Sequence, residues 1–362
     1  VNLLDLFSGI GGFHLGLERA GFEFDYVGFA EVDKYASAVY KYQFPITEEL
    51  GDVKSIRPEN LPKIDIITFG SPCQDFSIAG KRAGATEGTR SSLIWEAIRL
   101  ITECKPRFFI WENVKGTFSS NDGADFWAII QAFTNIGSYR LEWQLLNTRW
   151  FLPQNRERLY LVGYTGDRGG QSVFPIGEPG EVSDNRNAKV ASTLQHPGHS
   201  GGNYKGMTMV ADYRNDEGLR VRKDSVSPTL ATRKHSQTDI STMPPFVIKE
   251  ATKKGYAEAE VGDSINLSVP NSKTRRGRVG KGEAQTLDTG MQQYTIQSGI
   301  RRLTPVECMR LQGFPDNHNE FGLLDGKKVA ISDTQRYKQA GNAVTVDVVE
   351  AVAKKIYAVL HD

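Results

Sequence analysis

Short apolar runs alternate with helical patterns over the first 165 residues. Runs at 3–7, 26–30, 64–69, 108–111, 142–146 and 159–162 predict strands, several so continuously apolar that both their faces must be covered. Between them lie helical patterns, the clearest over 91–104, where Leu93, Ile94, Ala97, Ile98 and Ile101 form one stripe behind a serine that can serve as N-cap. Such alternation predicts an α/β fold with a doubly wound, mostly parallel sheet. The pattern breaks over 166–300, which is rich in Gly, Ser, Thr, Asn and charge, with short runs such as 245–248. A smaller, irregular β-rich domain with long loops is expected there. One phrase recurs in it, "ASTLQ", "SPTLA" and "AQTLD", placing Thr193, Thr229 and Thr286 at intervals too uneven for a solenoid. Regular pattern returns at 301. "TPVECMRLQGF" begins with Thr then Pro, a helix-start signal. Over 345–360 the residues Val346, Val349, Ala353, Ile356 and Leu360 form an apolar stripe that must dock, and the first domain is where it is expected. The expected organisation is 1–165 for the first domain, 166–300 for the second, and 301–362 as a returning segment.

Composition adds limits. The chain has 362 residues, 39% of them hydrophobic, enough for a large core and about two domains. No run approaches the ~18 apolar residues of a membrane span. "VNLLDLF" has no basic segment ahead of it and reads as a core strand, not a signal peptide, with the initiator Met missing from the numbering. A cytoplasmic protein is expected. The three cysteines, Cys73, Cys104 and Cys308, form no CxxC pair, and the histidines show no metal spacing, so neither a disulfide framework nor a metal site is expected. Cys104 and Cys308 read as packing residues. Net charge is +1, which excludes a global field for polyanions, but residues 166–300 lean basic and hold the dense cluster "KTRRGRVGK" at 273–281.

Candidate chemistry gathers at the predicted strand ends. "LLDLFSGIGGF" runs from a strand through Gly9, Gly11 and Gly12 into a helix, a turn that lets backbone approach a ligand. Glu31 ends the second strand, where an acid commonly binds ribose hydroxyls, and Asp52 follows the third. Together they predict an adenosine-containing cofactor. "GSPCQDF" then places Cys73 at the edge of a buried strand, stiffened by Pro72 and followed by a glycine-rich, cationic segment. "WENV" puts Glu112 and Asn113 at the end of the next strand, and "QNRERLYLVG" puts Arg156 and Arg158 at the start of a later one. A thiol, a carboxyl and a guanidinium thus converge on the edge that carries the glycine loop.

With these motifs in hand, the sequence resembles the cytosine C5-specific DNA methyltransferases, which use S-adenosylmethionine. "DLFSGIGGF", "EVD", "GDV", "GSPCQDFS", "ENV", "QNRERLYLVG", "RRLTPVECMRLQGFPD" and "QAGNAV" occur in that family's order, over 1–165 and 301–362. The resemblance implies that Cys73 attacks C6 of a flipped-out cytosine in a specific duplex sequence. It implies that Glu112 holds the base at N3 and its amine, and that Arg158 sits over O2. Arg156 would assist there, and Asn113 would orient the site. For the cofactor it implies Phe7, Gly9, Gly11 and Gly12 around the methionine and ribose, Glu31 on the ribose, and Val32 on the adenine face. It also implies Asp52 on the adenine amine, Pro72 near the sulfonium, and Asn342 at the amino-acid end. Val32 departs from the family, in which an aromatic is frequent. Residues 74–91 would close as a lid, with Gln74, Ser77, Lys81 and Arg82 meeting double-stranded DNA. The 166–300 domain would read bases, with Arg275, Arg276 and Arg278 as groove or phosphate contacts. A monomer is expected, with a cognate restriction endonuclease as a separate partner.

Three other readings are distinguishable. The same chemistry on RNA would conflict with a middle region large for shape readout. An inactive binding module should have lost Cys73, Glu112 or Arg158, and all are present. An NAD-linked oxidoreductase would leave the thiol and "ENV" motifs unexplained.

Overall fold

The computed structural model describes residues 1–71, 93–118, 124–137, 139–165, 172–177, 246–269, 272, 278–290, 292–297 and 299–361, with the backbones of 209–214 and 218–222. Its centre is a seven-stranded sheet in the order β3-β2-β1-β4-β5-β8-β6. The strands are β1 (Asn2–Leu6), β2 (Tyr26–Ala30), β3 (Glu48–Glu49), β4 (Ile66–Gly70), β5 (Phe108–Val114), β6 (Tyr139–Asn147) and β8 (Glu157–Thr165), with the short β7 (Gln154–Asn155) outside the sheet. β3, β2, β1, β4 and β5 are mutually parallel, and β8 runs antiparallel between β5 and β6. The predicted doubly wound sheet is therefore present, with one reversed strand.

Adjacent residues on a strand face opposite ways, and the apolar runs supply both faces. Leu4, Ile67, Phe69 and Phe109 pack with Ile98 and Ile101 of α3 (Leu93–Cys104) and Phe133 of α4 (Ala124–Asn135). Leu3, Ile66 and Phe108 face the other way, against α1 (Gly12–Arg19) and the terminal helix α7 (Val346–His361). Val349, Val352, Ala353 and Ile356 are fully or almost fully buried there, so the last helix does return to the first domain. α2 (Lys34–Gln43), α5 (Pro305–Leu311) and α6 (Asp333–Asn342) join a third cluster around Met309 and Cys308.

The intervening strands are β9 (Met209–Arg214), β10 (Gly218–Arg222), β11 (Phe246–Lys249), β12 (Tyr256–Ala259), β13 (Ser264–Asn266), β14 (Arg278–Gly280), β15 (Ala284–Gln285), β16 (Gln293–Ile296) and β17 (Ile300–Arg302). All but β15 form two small sheets, β10-β9-β11-β12 and β14-β13-β16-β17, around Phe246, Ile248, Ile265 and Ile296. Packing crosses both expected domain boundaries. Val173 and Ile176 belong to the core of the large sheet, and the Val173 and Phe174 N–H groups donate to Glu142. At the other boundary, β17 spans 300–302 and pairs with β16. β15 pairs with β7, and Thr286 donates to the Asn155 carbonyl. The third repeat of the Thr-Leu phrase is thus a docking strand, while the first two lie outside the described residues.

Candidate active site

The glycine loop is shaped by backbone conformation and tied down by two side chains, Glu31 and His318. Phe7, Gly9 and Gly11 all have positive φ (51°, 54° and 86°), a region that costs glycine little. The Gly9 N–H donates to Glu31 Oε2 at 2.9 Å, and the Asp33 N–H donates to Oε1 at 2.7 Å. Burial pushes the Glu31 carboxyl above its ordinary range, and these backbone donors oppose that rise. Asp33 in turn caps α2 by accepting from Tyr35 and Ala36, and its other oxygen pairs with Lys338 at 2.5 Å. From the far side, His318 Nε2 reaches the Ile10 carbonyl at 2.8 Å, and burial holds its pKa down at about 4, so the ring is neutral.

The cradle fits an adenosine. A Cβ at Gly9 would meet nothing within 4 Å, so the loop faces open space. Val32, beside Glu31, is 77% exposed, an apolar face presented to solvent at the rim. Glu31 keeps acceptor capacity beyond its backbone donors, Gly9, Val32 and Asp33. Asp52 lies elsewhere in character: it is exposed and caps a short 3₁₀ turn by accepting from the Lys54 N–H at 3.0 Å.

The second group stands at the ends of β4, β5 and β8. Glu112 pairs in register with Gly70, and Val114 with Arg158. Arg158 Nε lies 3.1 Å from Glu112 Oε1, both side chains only slightly exposed (15% and 11%). Glu112 Oε2 hangs over Gly70, 3.3 Å from where a Cβ would stand. Asn113, 1% exposed, turns away from this carboxylate. Its Nδ2 donates to the Ser71 Oγ and carbonyl at 3.1 and 3.3 Å, and its Oδ1 accepts from Val114 N and Thr117 Oγ1. Trp111 Nε1 also donates to Ser71 Oγ, at 3.1 Å. Ser71 is thus fastened by three hydrogen bonds from two side chains at the last described position before the thiol.

Arg156 departs from its expected place. It is buried, and its guanidinium donates to the Ala343 carbonyl at 2.9 Å and the Gly341 carbonyl at 3.5 Å, not toward Glu112. The reason is local: the residue precedes β8 and faces the end of α6, whose last carbonyls lack intrahelical partners. Those contacts flank Asn342, which is exposed. Pro72, Cys73, Gln74, Ser77, Lys81, Arg82, Arg275 and Arg276 lie outside the described residues. Arg278 is exposed on β14. Among the described residues, no cluster of three or more His, Cys, Asp or Glu could hold a metal, and no helix is long and apolar enough to cross a membrane.

Motif reading missed Asp33, Ser71, Trp111 and His318. Only Asp33 carries a local signal, an N-cap residue just before a helical run. The others become visible once strand ends are adjacent.

The family model for the C-5 cytosine-specific DNA methylase matches residues 1–358. The type II methyltransferase M.HhaI of Haemophilus parahaemolyticus is 30% identical over 362 residues, covering 100% of this chain and 95% of that protein. The orphan methyltransferase M.SPRI of Bacillus phage SPR is 28% identical, covering 98% and 97%. The Dnmt2 methyltransferase of S. pombe shares the fold, with a TM-score of 0.57 and 16% identity over all of both chains. With a match over nearly its whole length and these strand-end motifs in place, the chain belongs to the C-5 cytosine-specific DNA methylases, enzymes that methylate C5 of cytosine in DNA.

Proposed function

We propose that the enzyme uses S-adenosylmethionine and works through a covalent adduct between Cys73 and cytosine C6, with Glu112 and Arg158 holding the base. The single observation that carries this reading is the Glu112–Arg158 pair, 3.1 Å apart on β5 and β8, with Glu112 in register beside Gly70 at the end of β4, the strand that leads through Ser71 to Cys73. A carboxyl and a guanidinium so placed match the two polar edges of a cytosine, N3 with the exocyclic amine and O2.

The bound donor supplies an electrophilic methyl group on a sulfonium. The Cys73 thiolate adds its electron pair to C6, and the charge pushed toward N3 and O2 is met by a proton held by Glu112 and by the Arg158 guanidinium. C5, now nucleophilic, takes the methyl group, and the electron pair of the broken carbon–sulfur bond stays on the donor's sulfur, which leaves as a neutral thioether. Loss of the C5 proton to a base, a water being adequate, re-forms the double bond and expels the thiolate. C6 is inaccessible within a duplex, so the base must be flipped out at a cost of a few kcal/mol. Residues 74–91, including Gln74, Ser77, Lys81 and Arg82, would close over it. Residues 166–300 would read the neighbouring bases, with Arg275, Arg276 and Arg278 on the groove or backbone.

On the donor side, Glu31 would take the ribose hydroxyls and Val32 one adenine face. Phe7, Gly9, Gly11 and Gly12 would line the path to Pro72, Asp52 would take the adenine amine, and Asn342 the amino-acid end. We take double-stranded DNA as the substrate and a cognate restriction endonuclease as a separate partner. We take the enzyme to act as a monomer in a bacterial or phage-infected cytoplasm.

Bisulfite sequencing of a plasmid carrying the gene tests the reading. Methylated cytosines should appear at one sequence word with the wild-type gene and vanish with Cys73→Ala, while the variant still binds DNA. DNA with 5-fluorocytosine in that word should cross-link to residue 73. Methylation that persists in Cys73→Ala would falsify the adduct.

A further inference from the structure

We infer that Arg156 is a positioning residue that fastens the Asn342 turn to the strand carrying Arg158, and so couples donor binding to target-base binding. The inference rests on the donor and base sites proposed above. The Arg156 backbone is fixed first. Its N–H donates to Asn147 Oδ1 at 3.1 Å, and its carbonyl accepts from the Thr148 N–H at 2.9 Å. Its guanidinium then reaches the Gly341 and Ala343 carbonyls on either side of Asn342. These carbonyls end α6, where a buried cation is well placed both as donor and against the helix dipole.

The turn is gripped at neighbouring points as well. Gln312 Nε2 donates to the Ala340 carbonyl at 2.8 Å, and Gln312 Oε1 accepts from Thr345 Oγ1 at 2.9 Å. Thr345 Oγ1 also meets Thr148 Oγ1 at 2.9 Å, in the same connection that holds Arg156. Backbone around Asn342 therefore cannot shift without moving the connection that leads into β8. Two residues along that chain is Arg158, about 7 Å away in extended backbone. The donor's amino-acid end and the base's O2 edge thus share one short, buried frame. Whatever orders one end lowers the cost of ordering the other, and the effect must be reciprocal.

Isothermal titration of S-adenosylhomocysteine, with and without unmethylated plasmid DNA, reads this coupling, alongside steady-state transfer of labelled methyl groups to the same plasmid. In the wild type the DNA should tighten S-adenosylhomocysteine. In Arg156→Gln, the dissociation constant and the donor KM should rise about tenfold, as for loss of a charge-assisted hydrogen bond. The DNA effect should disappear while kcat at saturating donor falls far less, and Arg156→Lys should recover part of the affinity. Arg158→Gln should show the opposite split, a large loss in kcat with donor affinity kept. If Arg156→Gln behaves like Arg158→Gln, Arg156 is a catalytic helper and the inference is wrong. If Arg156→Gln fails to fold, Arg156→Lys decides: wild-type affinity with an intact DNA effect overturns the inference. Absence of any wild-type binding to S-adenosylhomocysteine would instead overturn the donor reading on which it stands.

Discussion

Asp5 shows how a residue outside the chemistry shapes the site. It is fully buried in β1, two positions before Phe7, accepting from Thr68 Oγ1 at 2.8 Å and Tyr40 OH at 3.3 Å. Burial dominates these bonds and pushes its pKa to about 8, with the Glu31 charge adding to the rise. Between pH 3.8 and about 8 the unfolded chain has released this proton and the folded protein has not. Stability from this group is thus full below pH 3.8 and falls as pH rises toward 8. Asp5→Asn keeps the shape and removes the titration. Its melting temperature should gain on the wild type as pH rises from 5 to 8.5, and a constant difference across that range would refute the assignment. The motif "DLFSGIGG" made the glycine turn legible, because glycine pattern and function coincide there. The burial of Asp5 was not legible, because its partners Thr68 and Tyr40 come from other elements. The same limit explains Arg156. The resemblance implied a role beside Arg158, but the end of α6, far along the chain, supplies the acceptors its guanidinium meets.

At the scale of elements, existence was easier to read than ends. β2 falls where the apolar run predicts it, but β5 extends to Val114 and β6 spans Tyr139–Asn147, since antiparallel pairing with β8 continues past the apolar residues. α5 was announced at its start by Thr304 and Pro305. Thr304 accepts from Glu307 N at 3.3 Å while Glu307 Oε2 accepts from Thr304 N at 2.8 Å, a complete capping box, and Pro305 follows the cap. Arg301 holds the same carboxylate at 2.7 and 2.8 Å. Despite the opposing effect of burial, these donors keep the Glu307 carboxyl below its ordinary range. Thr304→Ala should cost about 1 kcal/mol in urea unfolding, with Thr304→Ser recovering most of it. A cost near zero would mean that Arg301 alone positions the helix start.

For the whole molecule, the first and last segments form one body, and contact between α1 and α7 is where they join. Val349 of α7 presses on α1 at Gly16, where a Cβ would lie 2.5 Å from Val349 Cγ1 and 3.2 Å from the Glu350 backbone nitrogen. One turn earlier, a Cβ at Gly12 would lie 2.6 Å from Val344 Cγ2. The glycine loop therefore rests on the C-terminal segment that carries Asn342, and a change in helix spacing must reach the glycine turn. Gly16→Ala should destabilise by about 1–3 kcal/mol through overpacking, although alanine is the better helix former. Val349→Ala should also destabilise, by about 1.5–3 kcal/mol, because it removes two buried carbons and leaves a cavity. Combined, the two should fit each other, so the double variant is more stable than the sum of the single losses allows. Urea midpoints of the four proteins measure this coupling, and strict additivity would show that the helices do not meet at this pair. If they do meet there, the affinity for S-adenosylhomocysteine should fall in Gly16→Ala and recover in the double variant, because the pressure on α7 is relieved at its source.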